Sequence, residues 1–313
     1  MGPPISRTRA IPLGVKSESG TLRRVVLGIA EDILPPTAEQ TYDPTSLQHL
    51  LAGDYPTEEA MVAEMNGFRD LLEKHGVEVL RPRNIPQLNQ IFARDVGFVI
   101  DDCFVRSNMI VDRSREIEGI QHLVDEFKRV LHPPMEVRVE GGDVLVWHEH
   151  IFVGVYYGED FAQKKCARTN SAAVDYLRHQ FPHKKVTAFP LHKDNTDPHK
   201  NGLHLDCCFQ PMGPRDRPVA LMHRESFADD SVQILIDLIG EDNILFLTTE
   251  EVCSMMTNVF SISEKVVVSE RSFTRVNRWL EERGLTVEAI PYHEVGKQGG
   301  LLRCSTLPLA RDE

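Results

Sequence analysis

Six cysteines, Cys103, Cys166, Cys207, Cys208, Cys253 and Cys304, are spread through 313 residues with no CxxC pair and no disulfide-like spacing. That pattern argues against a disulfide-stapled secreted scaffold and points to a reducing, cytoplasmic setting. No apolar run approaches the roughly 20 residues that cross a bilayer as a helix, so no membrane partner is expected. Lys and Arg do not cluster beyond pairs such as Lys164-Lys165 and Lys184-Lys185, and the net charge is -12. A nucleic acid would find no basic patch to neutralise its phosphates, whereas an acidic chain suits a small cationic ligand. The first twenty residues lack the apolar segment of a secretory signal. Met1-Gly2 with Ser6 fits a loose myristoylation pattern, but Pro3 beside the acceptor glycine would hinder acylation. Residues 1–20 are therefore expected to be a disordered tail, and 21–313 a single domain. A homo-oligomer stays open.

What the chain does have is repetition. Residues 57–76, "TEEAMVAEMNGFRDLLEKHG", place Met61, Met65, Phe68 and Leu72 on one helical face, begin at an N-cap Thr57 and stop at Gly76; the strand-like "VEVL" follows at once. The same order returns in "REIEGIQHLVDEFKRVL" then "MEVRV", "SAAVDYLRHQF" then "KKVTAF", "DDSVQILIDLIG" then "NILFL", and "SFTRVNRWLEERG" then "LTVEAI". Four of these helices are preceded by two short β-like runs split by a polar turn, as in "VGFVIDDCFVRS" and "VLVWHEHIFVGV". The helix at Thr57 has only "RRVVLGI" before it, and the C-terminal "CSTLPL" can supply the missing partner. The expected fold is α/β: five ββαβ units in a pseudo-symmetric ring that the C-terminal strand closes, leaving no free sheet edge.

The residues just before each unit's first strand are chemically loaded. They read "FARD" ending at Asp95, "EGGD" from Glu140 to Asp143, "GLHLD" with His204 and Asp206, "MMTN" ending at Asn258, and "GGLLRC" ending at Cys304. In a closed ring, equivalent positions converge at one end of the axis. A cysteine beside a histidine suggests nucleophilic catalysis, because a thiol attacks as thiolate and an imidazole can take its proton. Glu140 could orient that imidazole. One Cys and one His are too few for an ordinary zinc site, so neither metal nor cofactor is expected. Asp95 and Asp206 beside a thiolate would be costly unless the substrate were a planar cation rich in N–H donors, which describes a guanidinium.

With "FARD", "EGGDVLV", "ARTN", "LHLD" and "GGLLRCSTLPL" in this order, the chain resembles the pentein, or guanidino-group-modifying, superfamily of arginine deiminases, dimethylarginine dimethylaminohydrolases and amidinotransferases over roughly residues 23–309. The resemblance implies a five-bladed α/β propeller with Cys304 as nucleophile, His204 as acid and base, and Glu140 as its partner. It implies that Asp95 and Asp206 grip the guanidinium and that Arg168, with Arg106 or Arg115, holds a substrate carboxylate. Asn258 and Asp143 are further substrate-binding candidates. Three outcomes follow from such a site: hydrolysis of a small arginine derivative through a thiouronium adduct, transfer of the amidino group to an amine, or ligand binding without catalysis. Glu140 and "LHLD" look more like the deiminases, whereas the compact length and the context of Cys304 look more like dimethylarginine hydrolases. "KDNTDPHKN", residues 193–201, is either a solvated loop or a lid.

Overall fold

The computed structural model describes residues 11–313. The expected disorder of residues 1–10, with the acylation pattern at Met1-Gly2, lies outside the described residues. The repeat reading is realised as five three-stranded sheets. Strands β1 (Thr21–Leu27) and β2 (Glu78–Leu80) run parallel, separated in sequence by helices α1 (Pro44–Ala52) and α2 (Glu58–Lys74). The next sheet pairs β3 (Gly97–Ile100) with β4 (Cys103–Arg106) as a hairpin and then β5 (Val130–Leu131) in parallel, after the one-turn α3 (Gln121–Val124). A third joins β6 (Val144–Trp147) and β7 (His150–Val155), with β8 (Lys185–Pro190) following α4 (Ser171–Gln180). A fourth is β9 (Phe209–Met212) and β10 (Val219–Met222), then α5 (Val232–Ile239) and β11 (Ile244–Phe246). After the short α6 (Thr249–Cys253) come β12 (Phe260–Ser261), β13 (Val266–Glu270), α7 (Thr274–Glu282) and β14 (Thr286–Ile290). The last turn α8 (His293–Gly296) leads to β15 (Thr306–Asp312), which returns antiparallel to β1 and completes the first sheet.

Local chemistry explains the elements. The Thr57 side chain accepts from Ala60 N–H at the start of α2, and Met61, Met65, Phe68 and Leu72 are buried along one face. Burying each such side chain contributes about 1.5–3 kcal/mol. Phe68 meets Phe260 and Tyr292 edge-on, tying α2 to the fifth sheet.

Three expectations need correction. Residues 11–20 are not a disordered tail: Gly14, Val15 and Ser17 bridge Ala310, Asp101 and Trp147, and Ser17, Glu18 and Ser19 are buried. The polar run survives inside because the Glu18 carboxylate takes two hydrogen bonds from Arg303, both 3.0 Å. The helix expected over "REIEGIQHLVDEFKRVL" shrinks to a 3-10 turn, Glu116–Ile120, and α3. Gly119 there packs so tightly that a Cβ would lie 2.1 Å from the Gln90 amide nitrogen, and Glu116 is drawn inward by an arginine. "MEVRV" is not that unit's third strand; β5 is, and Val139 makes only an isolated bridge to Asn108.

Candidate active site

The nucleophile candidate is delivered by a turn. Gly299, at φ 82°, sits where a Cβ would come within 2.3 Å of Asp43 Oδ1, a position only glycine tolerates. The chain then turns so that the backbone N–H groups of Leu301 and Cys304 both donate to Asn258 Oδ1, at 3.3 and 3.0 Å. The Asn258 amide nitrogen in turn donates to the Asp206 carbonyl, at 3.4 Å. Both ends of Asn258 thus hold protein backbone, so it positions Cys304 rather than meeting a substrate as expected. Cys304 Sγ is buried, 3.6 Å from Asp206 Oδ2.

His204 precedes the 3-10 turn Leu205–Cys207. Its Nε2 lies 3.0 Å from Glu140 Oε2, and its Nδ1 edge faces Asp95 at 3.7 Å. Burial opposes the charged imidazole, but the Asp95, Asp143 and Glu140 carboxylates outweigh it and raise the pKa above that of a free histidine. Glu140 is held well below the usual carboxylate range: burial opposes this, while Arg168, the His204 hydrogen bond and Arg113 prevail. The Cys207 S–H pulls the Cys304 thiol down, but burial with Asp206 and Asp95 outweighs it, so Cys304 titrates above an ordinary thiol. A negative field around the sulfur is what a cationic substrate would relieve.

Asp143 stands behind the imidazole, where Oδ1 accepts from Leu205 N–H at 3.0 Å and Oδ2 has no partner among the described residues. It supports the His204 turn and does not line the cavity. Asp206 borders Cys304, yet its Oδ2 also accepts from Arg303 at 2.6 Å.

The arginines depart most from expectation. Arg168 is in the site, donating to Glu140 Oε2 at 2.9 Å and to the Tyr42 carbonyl at 2.9 Å. Neither Arg106, at the end of β4 opposite Gly97, nor Arg115 lines the cavity. Arg115 is exposed and pairs with Glu118. The residue that enters is Arg113, whose Nη1 donates to Asp95 Oδ2 at 2.7 Å and whose other face is clamped by Glu116 at 2.8 and 2.7 Å. No spacing singles it out, because Arg113–Glu116 and Arg115–Glu118 repeat the same Arg-x-x-Glu pattern; burial of the first pair and exposure of the second separate them.

Tyr42 also went unseen in the sequence. Its ring lies over both guanidinium groups, 5.6 Å from each. With Asp43 it covers a cavity lined by Asp95, Arg113, Arg168, His204, Gln298 and Cys304, leaving about 10 Å³ of free room. The cover is therefore residues 42 and 43, ahead of α1. Residues 193–201 border a separate cleft, and the Lys193 ammonium is spent on the Gly202 and Leu203 carbonyls. Cys207 and Cys208 are both buried, at the end of and just after the 3-10 turn Leu205–Cys207 inside the molecule.

Two sets bring possible metal-ligand atoms within 4.8 Å of one another: Asp95, Glu140 and His204, and His204, Asp206 and Cys207. Arg113 and Arg168 already neutralise the first set, and Arg303 the second. The donor chemistry fits a cation only in competition with these guanidiniums. The geometry instead brings a thiol, an imidazole and a carboxylate to the lining of one cavity.

Gly142 constrains the imidazole directly. Its N–H donates to Asp95 Oδ1 at 3.2 Å, and an added Cβ would lie 2.6 Å from His204 Nδ1. Gly142→Ala should displace the imidazole and lower kcat by about 100-fold, since a shift on the order of 1 Å at reacting groups costs that much. A steady-state assay with a melting curve checks this; unchanged kcat would mean that the Nδ1 edge is not used.

The family model for N,N-dimethylarginine dimethylhydrolase, eukaryotic, matches residues 43–311. The uncharacterized protein YkgA of Bacillus subtilis (strain 168) is 26% identical over 305 residues, covering 95% of each chain. Among solved structures, the N-terminal domain of ArgZ, an arginine dihydrolase from cyanobacteria, superposes with a TM-score of 0.76 at 16% identity, over 92% of this chain and 98% of that one. SxtG, an amidinotransferase from Microseira wollei, gives 0.73 at 18% identity, over 97% and 98%. The inosamine-phosphate amidinotransferase StrB1 of Streptomyces griseus gives 0.71 at 17% identity, over 97% and 98%. These likenesses show a shared fold.

Proposed function

The chain belongs to the eukaryotic N,N-dimethylarginine dimethylhydrolase family of the pentein superfamily, and from this premise we propose a cysteine-dependent hydrolase acting on the guanidino group of arginine or a small arginine derivative. The reading takes the five sheets as the blades of one propeller that β15 closes, forming a single catalytic unit in a cytoplasmic setting, with no cofactor. One observation carries it: Cys304, His204 and the carboxylate of Asp95 border a single cavity, with Glu140 held 3.0 Å from the imidazole Nε2.

In this reading Cys304 attacks the guanidinium carbon as thiolate, and the proton on the Nδ1 edge of His204 passes to the departing amine. The C–N bond breaks and a thiouronium adduct remains on sulfur. Water, deprotonated by His204, then attacks the same carbon and expels the thiolate, leaving a urea product. Glu140 holds the imidazolium in place through Nε2. Asp95 takes the guanidinium N–H groups, and Arg113 and Arg168, joined under Tyr42, would receive a substrate carboxylate.

Incubation with arginine, agmatine, methylated arginines and guanidino acids, with product masses read with and without glycine or ornithine, tests this. A urea-type product such as citrulline is expected without added amine. A guanidino product formed only with the amine would move the reading to an amidinotransferase, and no product from any compound would leave a binding protein.

The pH dependence has a definite sign. Because the Cys304 thiol is raised, the unliganded protein should carry thiol, not thiolate, at neutral pH. Iodoacetamide modification of Cys304, followed by mass spectrometry, should accelerate only at a pH above the roughly 8.5 of an ordinary cysteine. A midpoint at or below that value would contradict the field described above.

A further inference from the structure

The proposed chemistry leaves Cys207 without a task, yet its thiol is the neighbour of the reactive one. Cys207 Sγ lies 3.5 Å from Asp206 Oδ1 and Cys304 Sγ lies 3.6 Å from Asp206 Oδ2, so one carboxylate gathers both sulfurs. Both thiols are 3% exposed, and both sit in turns, outside any strand. Cys208 faces elsewhere, its Sγ 3.3 Å from the His204 carbonyl.

We propose that Cys207 is a resolving thiol for Cys304, so that a peroxide converts the pair into a reversible disulfide that switches the site off. This rests on Cys304 being the reactive thiol of the function proposed above. The Cys304 thiolate attacks one peroxide oxygen, the O–O bond breaks, and hydroxide leaves to be protonated to water, giving a sulfenic acid. The Cys207 sulfur then attacks the sulfenic sulfur, the S–O bond breaks, and a second water carries away the Cys207 proton and the oxygen. The sum is two thiols and one hydrogen peroxide giving one disulfide and two waters. Closing the S–S bond, about 2.05 Å long, brings the two sulfurs together from their places on the shared Asp206 carboxylate. Once formed it removes the nucleophile and bars the sulfur from any guanidinium carbon, while shielding it from irreversible oxidation.

The test is to oxidise the full chain with hydrogen peroxide at an alkaline pH that ionises the raised Cys304 thiol, block remaining thiols with N-ethylmaleimide, and digest with trypsin. The expected result is that the peptide 304–311 is found joined to 201–215 with the loss of two hydrogens, that turnover falls at least tenfold, and that dithiothreitol restores it. Cys208→Ala should keep the cross-link, which assigns it to Cys207. In Cys207→Ala the same treatment should drive Cys304 to the sulfinic acid, and dithiothreitol should restore nothing. A wild-type Cys304 that ends as sulfinic acid or free thiol with no cross-link would overturn the proposal, as would equal recovery in Cys207→Ala. A cross-link in a protein that turned over no guanidino compound beforehand would sink the hydrolase reading and leave the thiol pair standing.

Discussion

Replacing Cys304 by serine should abolish product formation, with kcat down on the order of 10³-fold or more, while the protein melts within a degree or two of the parent. The loss is large because serine offers no thiolate, and no neighbouring nucleophile in the cavity can take its place. The fold should survive because the side chain contributes little to holding the turn: the backbone N–H groups of Leu301 and Cys304 bind Asn258, and the carbonyl of Cys304 accepts from Arg94 N–H at 3.0 Å, none of which depends on sulfur. The variant should still bind a guanidinium compound, since Asp95, Arg113 and Arg168 are untouched. Calorimetric titration with a substrate that the parent consumes separates the two roles. Retained turnover would remove Cys304 from the chemistry, and lost binding would mean that the thiol also shapes the pocket.

How far the sequence carried the reading can be seen residue by residue. The units were legible because α2 and α4 carry capping side chains, Thr57 and Asn170, ahead of an apolar face, and because their strands alternate or run apolar as sheets require. Asp95, Glu140, His204 and Cys304 were legible because each precedes the first strand of a unit, and repetition turns position in sequence into position in space. Arg113 was not, since it belongs to an irregular connection whose path no periodicity fixes; the neighbours at 106 and 115 looked equally good. Tyr42 and Asp43 arrive from a segment between β1 and α1 that belongs to no repeat. Glu18 was hidden for the opposite reason. A polar run such as "KSESG" reads as solvated chain unless its charge partner, far away at Arg303, is known. Pairs that distant become visible only once the chain is folded.

That same pair carries the second large effect, expected for Arg303→Leu. Arg303 is fully buried and donates to Glu18 at 3.0 Å twice, to Asp206 at 2.6 Å, and to the Val144 carbonyl at 3.0 Å. Among the described residues, leucine removes the only group that bonds both carboxylates and leaves two buried negative charges without that partner. Breaking a buried ion pair from one side costs about 3–5 kcal/mol, a large share of the roughly 5–15 kcal/mol that keeps a domain folded. For a chain of this size the melting temperature should drop by roughly 10 °C. The acid response should change as well. Burial works against the Glu18 carboxylate, but Arg303 and Arg94 hold its pKa down at about 2, against an ordinary 4.5. Its stabilising contribution is therefore present above about 4.5 and disappears as pH falls towards 2. In the leucine variant that part of the acid-induced loss should shrink, because protonating an unpaired buried carboxylate relieves strain instead of breaking a bond. Adding Glu18→Gln to the variant should recover part of the lost stability, giving a non-additive double-mutant cycle. Additive effects would mean that water reaches the network and that Arg303 is an ordinary surface-like charge. A strongly coupled cycle would mean that residues 17–19 are pinned beneath the nucleophile by the residue next to it, so that the stability of the N-terminal segment and the placement of Cys304 rest on one guanidinium.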